Sequence, residues 1–203
     1  MAPNSTTPGK GSTRGSSSTT PMSRTAAAAV RASTSEPDYF ALFGLPRSFA
    51  IDEADLAARY RRLQQEVHPD RFAGGSAQER RLAVQQAALI NEAFQTLKDP
   101  LKRALHLLAL AGVDAASESN TAMDAAFLEE QMALREALGE IEDRQTLDAF
   151  LDELSQRIGA ILRDLEEAFS QGALERASED VRKLQFIRRL KEEALSLEDE
   201  WMD

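Results

Sequence analysis

The chain has 203 residues, 42% of them hydrophobic and 29% charged, and its formal net charge is −10 at pH 7. It has no cysteine and two histidines, which excludes disulfides and thiolate metal sites and argues against a bound cofactor or metal cluster of its own. No apolar run reaches the roughly 18 residues that a membrane span needs, so no membrane partner is expected.

Residues 1–36 are rich in Ser, Thr, Ala, Gly and Pro and carry a net charge of +3. They show no apolar periodicity, which predicts a disordered tail. An acid-poor, Ser-rich leader with arginines also resembles an organelle transit peptide, and Met22 is a second candidate initiator. We expect a cytoplasmic protein of bacterial type, with the mitochondrial matrix as the alternative if the leader directs import.

The rest of the chain divides by charge into residues 37–112, with net +1, and residues 113–203, with net −14. Gly and Pro are rare there and Ala, Leu, Glu and Arg dominate, which predicts an all-α fold. The acidic part argues against a nucleic-acid partner, because phosphates favour Lys and Arg clusters. Its acids either steer a basic partner or keep helix faces soluble. The oligomeric state, monomer or weak dimer, stays open.

The first part begins with a short helix near Tyr39–Leu42, followed by a longer amphipathic helix with Asp52 as its N-cap. Pro69 removes a donor and should end that helix at His68. Its apolar face is formed by Leu56, Tyr60, Leu63 and Val67. The charged side chains off this face, which should point to water, are Arg59, Arg61, Arg62 and Glu66.

A loop then leads into the next helix, for which Ser76 and Glu79 form a capping-box pair. The apolar positions of this helix are Ala83, Ala87, Ile90, Phe94 and Leu97. The two helices should therefore form an antiparallel hairpin with the loop at its tip. A last helix should begin at Asp99–Pro100 and end at Gly112, with His106 as a structural residue in its apolar pattern.

The loop carries the tripeptide His68–Pro69–Asp70, for which three interpretations exist. His68 is a loop histidine without a role, or it forms a catalytic dyad with Asp70. No nucleophile motif lies near the dyad, and adjacent residues in a tight loop rarely direct their side chains at one proton. In the third interpretation, the tripeptide at the tip of a helical hairpin resembles the signature of a J-domain, the module that drives ATP hydrolysis by DnaK-class chaperones.

The resemblance extends to HscB, the J-type co-chaperone family of iron–sulfur cluster assembly. Similar segments span 38–46, 68–73, 88–97, 99–104, 127–132, 134–136 and 181–186. The absence of cysteine differs from those eukaryotic relatives that carry a cysteine-rich N-terminal module. The resemblance implies an L-shaped molecule, with a J-domain over 37–112 and a C-terminal domain over 113–203. It also implies a chaperone-binding set, which is Arg59, Arg62, His68, Pro69, Asp70, Arg71 and Phe72.

The second part reads as a three-helix bundle. Its first helix is expected from Thr121 to Ile141, and Gly172 should mark the turn between the other two. The third helix packs through either Phe186 or Ile187. The first helix has more apolar residues than one narrow core-facing stripe can hold. We therefore expect Leu128, Met132 and Leu134 to stay partly exposed as a partner surface. Ordinary core packing is the alternative.

In HscB proteins the corresponding surface binds the scaffold protein IscU. The resemblance carries this role to Leu128, Glu129, Met132, Ala133, Glu136, Glu140 and Phe186. Glu129 stands where the family usually has Met, and Ala133 stands where it usually has Glu.

The resemblance implies a co-chaperone that stimulates the ATPase of an HscA/DnaK-class chaperone and delivers the scaffold to it. The chain itself would not be an enzyme and would need no cofactor. Two other functions remain open. A general J-protein would deliver unfolded clients, and a structural helical adaptor would affect no chaperone.

Overall fold

The computed structural model describes residues 37–72, 74–113 and 125–202, and within these ranges it contains helices and loops but no strand. The predicted tail, 1–36, and the predicted helix start at Thr121 lie outside the described residues. The helices are α1 (Tyr39–Phe43), α2 (Glu53–Glu66), a short 3₁₀ helix (Pro69–Phe72), α3 (Ala77–Lys98), α4 (Pro100–Leu110), α5 (Ala125–Gly139), α6 (Arg144–Gln171) and α7 (Leu174–Met202). The all-α prediction is confirmed.

The helix ends lie where local chemistry places them. The Asp52 carboxylate accepts the N–H groups of the first turn of α2. Ser76 and Glu79 form the predicted reciprocal capping box at α3. Gly44 and Gly172 adopt φ values of 66° and 69°, a left-handed conformation that glycine adopts without strain, and they end α1 and α6.

Helices α1, α2 and α3 enclose the first core. Its buried members are Tyr39, Phe40, Phe43, Leu56, Val67, Ile90, Ala93 and Leu97. His106 of α4 is buried against it, with its ring stacked 4.5 Å from that of Tyr39. Its Nε2 accepts the backbone N–H of Tyr39 at 3.3 Å. The structural interpretation of His106 is confirmed, because its ring attaches α1 to α4.

A second core spans both halves of the chain. Its buried members are Phe49, Ala104, Leu108, Leu165, Ala168, Ala177, Val181 and Leu184. The rings of Phe49, before α2, and Phe169, in α6, stack with their centroids 5.5 Å apart, which joins the two halves of the chain. Since α4, α6 and α7 share this core, the helical hairpin and the C-terminal helices are joined by an apolar interface.

Two arginines hold the elements around this core, one within the first half of the chain and one between the two halves. Arg103 is buried and donates to the carbonyls of Leu97 and Phe49 at 2.7 and 2.6 Å, so it fixes the loop before α2. Arg188 of α7 donates to both Asp99 oxygens at 2.9 Å. Burial alone would raise the pKa of Asp99, but the N–H of Lys102 and the Arg188 guanidinium outweigh it and hold that pKa below its usual range.

The third core holds the C-terminal bundle together. Its buried members are Leu134, Leu147, Phe150, Leu154, Ile187, Leu190 and Ala194. The expected partial exposure of Leu134 was wrong, since it is only 5% exposed and packs between α6 and α7. Of the two candidates on α7, Ile187 enters the core, and Phe186 lies at its edge.

Asp180 of α7 is a buried carboxylate with an unmet hydrogen bond. Asp180 is 4% exposed, and its Oδ2 has no hydrogen-bond partner among the residues that the structure describes. Lys183 lies 3.5 Å from the other oxygen. Burial raises the pKa of Asp180, and Lys183 only partly offsets that effect. The ionised carboxylate therefore destabilises the fold at neutral pH.

We expect Asp180→Asn to raise Tm at pH 7.5, because it removes the charge of a buried carboxylate that Lys183 only partly compensates. A carboxyl whose folded-state pKa is raised stabilises the fold below its unfolded pKa and loses that contribution as pH rises. The difference between the variant and the unmutated chain should therefore shrink toward pH 4. Thermal unfolding followed by circular dichroism across this range measures it, and a lower Tm for the variant at pH 7.5 contradicts it.

Candidate functional site

The His68–Pro69–Asp70 tripeptide lies in a tight turn between α2 and α3. Val67 is buried and donates its N–H to the Leu63 carbonyl, which closes α2. The Arg71 N–H then bonds the His68 carbonyl at 3.0 Å, and the chain enters the 3₁₀ helix. The segment from His68 to Phe72, called the HPD loop below, packs against α3.

Within the HPD loop, the side chains of His68 and Asp70 face water. They are 57% and 91% exposed, and Nδ1 of His68 lies 3.6 Å from the Asp70 carboxylate, beyond hydrogen-bond distance. The same Nδ1 accepts the Asp70 backbone N–H at 3.3 Å. The proton of a neutral ring then lies on Nε2, where a partner can accept it. This geometry does not fit a catalytic His–Asp dyad, in which Nδ1–H would donate to the carboxylate.

The hairpin that carries the HPD loop is stiffened by contacts between its two helices. The Tyr60 hydroxyl donates to the Asn91 side chain at 2.8 Å, and the Tyr60 ring stacks on Phe94 at 4.1 Å. Gln64 donates to the Tyr60 oxygen at 3.0 Å. The loop is therefore presented on a rigid support rather than on a free turn.

Of the predicted basic contacts on α2, Arg59 differs from expectation. It does not simply point to water: its Nη1 donates to the carbonyls of Phe43 and Gly44 at 3.0 Å, and its Nε pairs with Asp55 at 2.8 Å. The physical reason is that carbonyls at the end of α1 have no donor within the helix, and the Arg59 guanidinium donates hydrogen bonds to them. Its side chain keeps 31% of its surface exposed.

Three more residues of the predicted chaperone-binding set lie on α2 and on the HPD loop. Arg62 is exposed one turn beyond Arg59, and Arg71 is exposed with a long 3.4 Å contact to the Gln65 carbonyl. Phe72 is half-buried, which lets it anchor the loop and still show part of its ring. The exposed residues of this set thus follow the outer side of α2 onto the HPD loop.

The predicted scaffold surface lies on α5, where two large apolar side chains face water. Leu128 is 50% exposed and Met132 is 66% exposed. They lie one turn apart and therefore next to each other on the helix. Such paired exposure of large apolar groups is typical of a partner-binding surface. We call Leu128, Met132 and Phe186 the apolar patch.

Phe186 belongs to α7, is half-buried, and packs against α5. Its ring meets the edge of Phe127 at 5.9 Å, nearly perpendicular at 87°. The Arg135 guanidinium lies over the ring at 5.7 Å. Sequence reasoning missed Phe127 and Arg135 as supports of Phe186, because no spacing rule links α5 to a residue about fifty positions later.

An acidic stripe lies beside the apolar patch. Its members, Glu129, Glu136 and Glu140, are all exposed, and so is Ala133. At about 100° per residue, Leu128 and Met132 lie roughly 100–140° round α5 from buried Phe127, and the acidic stripe follows at roughly 180–220°. The six predicted scaffold residues of the α5 segment therefore share one side of the helix, which is apolar along one edge and acidic along the other.

The described residues contain no group of three or more His, Asp or Glu side chains that could hold a metal ion. None of the helices in the described ranges is long and apolar enough to span a bilayer. What the geometry does provide is an exposed loop at a rigid tip and an apolar patch on a separate helix.

A helical hairpin with an HPD loop at its tip defines a J-domain protein. Residues 38–106 match the DnaJ domain family, and residues 123–195 match the family described as the HSCB C-terminal oligomerisation domain. The chain is 43% identical to the chaperone HscB from Vibrio cholerae over 81% of this chain and 99% of that one, with a TM-score of 0.75.

Human co-chaperone HscB is 32% identical, with coverage of 79% of this chain and 82% of that one and a TM-score of 0.76. The Jac1 co-chaperone of Saccharomyces cerevisiae, at 21% identity, 73% and 86% coverage and a TM-score of 0.62, shares the fold. The chain belongs to the HscB family of J-domain co-chaperones.

Proposed function

We propose that this chain stimulates the ATPase of an HscA/DnaK-class chaperone and delivers an IscU-type scaffold protein to it during iron–sulfur cluster assembly. The observation that carries the proposal is the pairing of an exposed HPD loop with a separate exposed apolar patch on one jointly packed chain. One surface serves each partner, so both can bind at once.

The chaperone contact is assigned to the HPD loop and the basic side of α2. Arg62, Asp70 and Arg71 supply exposed charge, and His68 supplies its Nε2–H. Half-buried Phe72 anchors the loop, and Pro69 belongs to the same proposed contact. Arg59 contributes mainly by bonding the carbonyls at the end of α1, and the exposed third of its side-chain surface can contact the chaperone.

The scaffold contact is assigned to the apolar patch and the acidic stripe. Leu128 and Met132 are expected to be buried by an apolar surface of the scaffold, and Phe186 borders them. Glu129, Glu136 and Glu140 are expected to face basic side chains. Ala133, being small and exposed, allows close approach.

Neither contact makes this chain an enzyme. A J-domain changes a conformational equilibrium in its partner, so it must bind the hydrolysis-competent chaperone better than the other state. Holding the scaffold on the same chain raises its effective concentration near the chaperone. The shared apolar core between the two halves keeps the span between the surfaces constant. We place this activity in a bacterial-type cytoplasm, with the mitochondrial matrix as the alternative.

Steady-state ATP hydrolysis by the DnaK-class chaperone, with and without the chain, tests the chaperone half of the proposal. We expect a several-fold rise in rate that saturates with the chain's concentration. No rise, with a chaperone that responds to another J-domain, would leave only the helical adaptor.

A general J-protein for unfolded clients is the remaining competitor. Its client would be any exposed apolar segment, so an unfolded polypeptide should displace the scaffold from the chain. The proposal instead requires that the folded scaffold binds in the presence of excess unfolded polypeptide.

A further inference from the structure

The helix that carries the apolar patch is held to the bundle by few groups. Phe127 and Leu134 are its buried side chains among those the structure describes, and partial contacts come from Leu138 and, just after the helix, Ile141. Most other side chains of α5 are exposed. The rotation of α5 about its axis therefore depends on contacts at the edges of this narrow core.

One edge contact is an ion pair between α5 and α6. Arg157 of α6 donates through Nη1 to the carboxylate of Glu130 on α5. The same guanidinium donates to Glu153, one turn earlier on α6, at 2.8 Å through Nη2 and at 3.1 Å through Nε. Arg157 is 34% exposed and Glu130 is 40% exposed, so the pair is partly shielded from water.

The position of Glu130 on α5 gives this pair its significance. At about 100° per residue, Glu130 lies roughly 160–200° round the helix from Met132 and Leu128, on the far side from the apolar patch. On the other flank, Arg135 lies over Phe186 of α7. The helix is thus held at both edges, by α6 on one side and by α7 on the other.

We infer that Arg157 is a positioning residue for scaffold binding: through Glu130 it fixes the rotation of α5 so that Leu128 and Met132 face the partner beside Phe186. Arg157 does not touch the scaffold in this arrangement. The inference rests on the proposed function, because it assigns the same patch to the scaffold. Loss of the pair broadens the orientations of α5 and reduces the fraction of molecules that present the patch correctly.

The two carboxylates that Arg157 contacts provide a matched pair of variants. Glu130→Gln removes the contact that crosses to α5, and Glu153→Gln removes the contact that stays within α6. Each variant replaces one negative carboxylate that faces the Arg157 guanidinium by a neutral amide. Calorimetric titration with an IscU-type scaffold should give a Kd about twofold to fivefold higher for Glu130→Gln and nearly unchanged for Glu153→Gln.

Two further readouts separate positioning from general destabilisation. ATPase stimulation at saturating scaffold should be unchanged in Glu130→Gln, while the scaffold concentration for half-maximal effect rises. The double variant Glu130→Gln/Arg157→Met should bind no more weakly than Arg157→Met alone, because the two groups act as one unit. Equal affinities of Glu130→Gln and Glu153→Gln, or additive losses in the double variant, would overturn the inference.

Amide hydrogen exchange in the free chain keeps this test independent of the scaffold. We expect faster exchange across α5 in Glu130→Gln than in Glu153→Gln, and equal exchange would overturn the inference. If the unmutated chain does not bind the scaffold at all, the proposed function fails, and the exchange rates still decide whether Arg157 positions α5.

Discussion

We expect His68→Gln to lose about 30-fold or more of the ATPase stimulation, since a central contact at an interface is worth about 2 kcal/mol or more. Among the described residues the His68 ring makes one local bond, from the Asp70 N–H to Nδ1, and its side chain is more than half exposed. Glutamine can replace that acceptor but does not reproduce the ring or the direction of Nε2–H. The loss should therefore arise at the partner and not in the fold.

Two measurements control this result. The variant should keep its Tm, and it should bind the scaffold with unchanged Kd, because His68 lies outside the apolar patch. Gln64→Glu is unsuitable as a control variant, because the Gln64 side chain donates to the Tyr60 hydroxyl and the change would disturb the hairpin itself. Stimulation that survives in His68→Gln would show that the HPD loop does not contact the chaperone as proposed.

The second large effect is expected for the double variant Leu128→Ala/Met132→Ala. Both side chains are at least half exposed in the free chain, so truncation removes little core packing. Bound to the scaffold they should be buried, and losing that burial costs about 2–3 kcal/mol, or about 30-fold or more in Kd. Calorimetry with the folded scaffold measures the change.

A matched control lies on α3, where Leu82 and Val84 are 52% and 60% exposed. Leu82→Ala/Val84→Ala removes a similar exposed apolar area, yet scaffold binding should persist because these residues are outside the apolar patch. Equal loss in both double variants would favour a surface that binds clients through exposed apolar groups in general. In the absence of the scaffold, both double variants should stimulate the chaperone ATPase as strongly as the unmutated chain does.

Local chemistry explains how much of the fold was predictable. Asp52, Ser76 and Asp99 cap helices that begin within one or two residues of them, and Gly172 ends α6. Helical spacing predicted the hairpin, and the apolar surplus together with the family resemblance predicted the exposure of Leu128 and Met132. These features depend on residues a few positions apart, which is the range over which periodicity and capping rules apply.

The features that sequence did not predict join residues far apart in the chain. Arg59 bonds carbonyls 15 and 16 residues earlier, and the Arg157–Glu130 and Arg188–Asp99 pairs span 27 and 89 residues. The burial of Leu134 likewise depends on how α5 is rotated against α6 and α7. A surplus of apolar residues indicates that some stay exposed, but packing decides which ones.

The central claim, that one chain couples a chaperone to a scaffold, is tested most directly by a factorial ATPase measurement. Chaperone hydrolysis is measured alone, with the chain, with the scaffold, and with both. The account predicts that stimulation by both together exceeds the product of the separate effects, and that this excess disappears in Leu128→Ala/Met132→Ala. Stimulation by the chain that is indifferent to the scaffold would contradict the account.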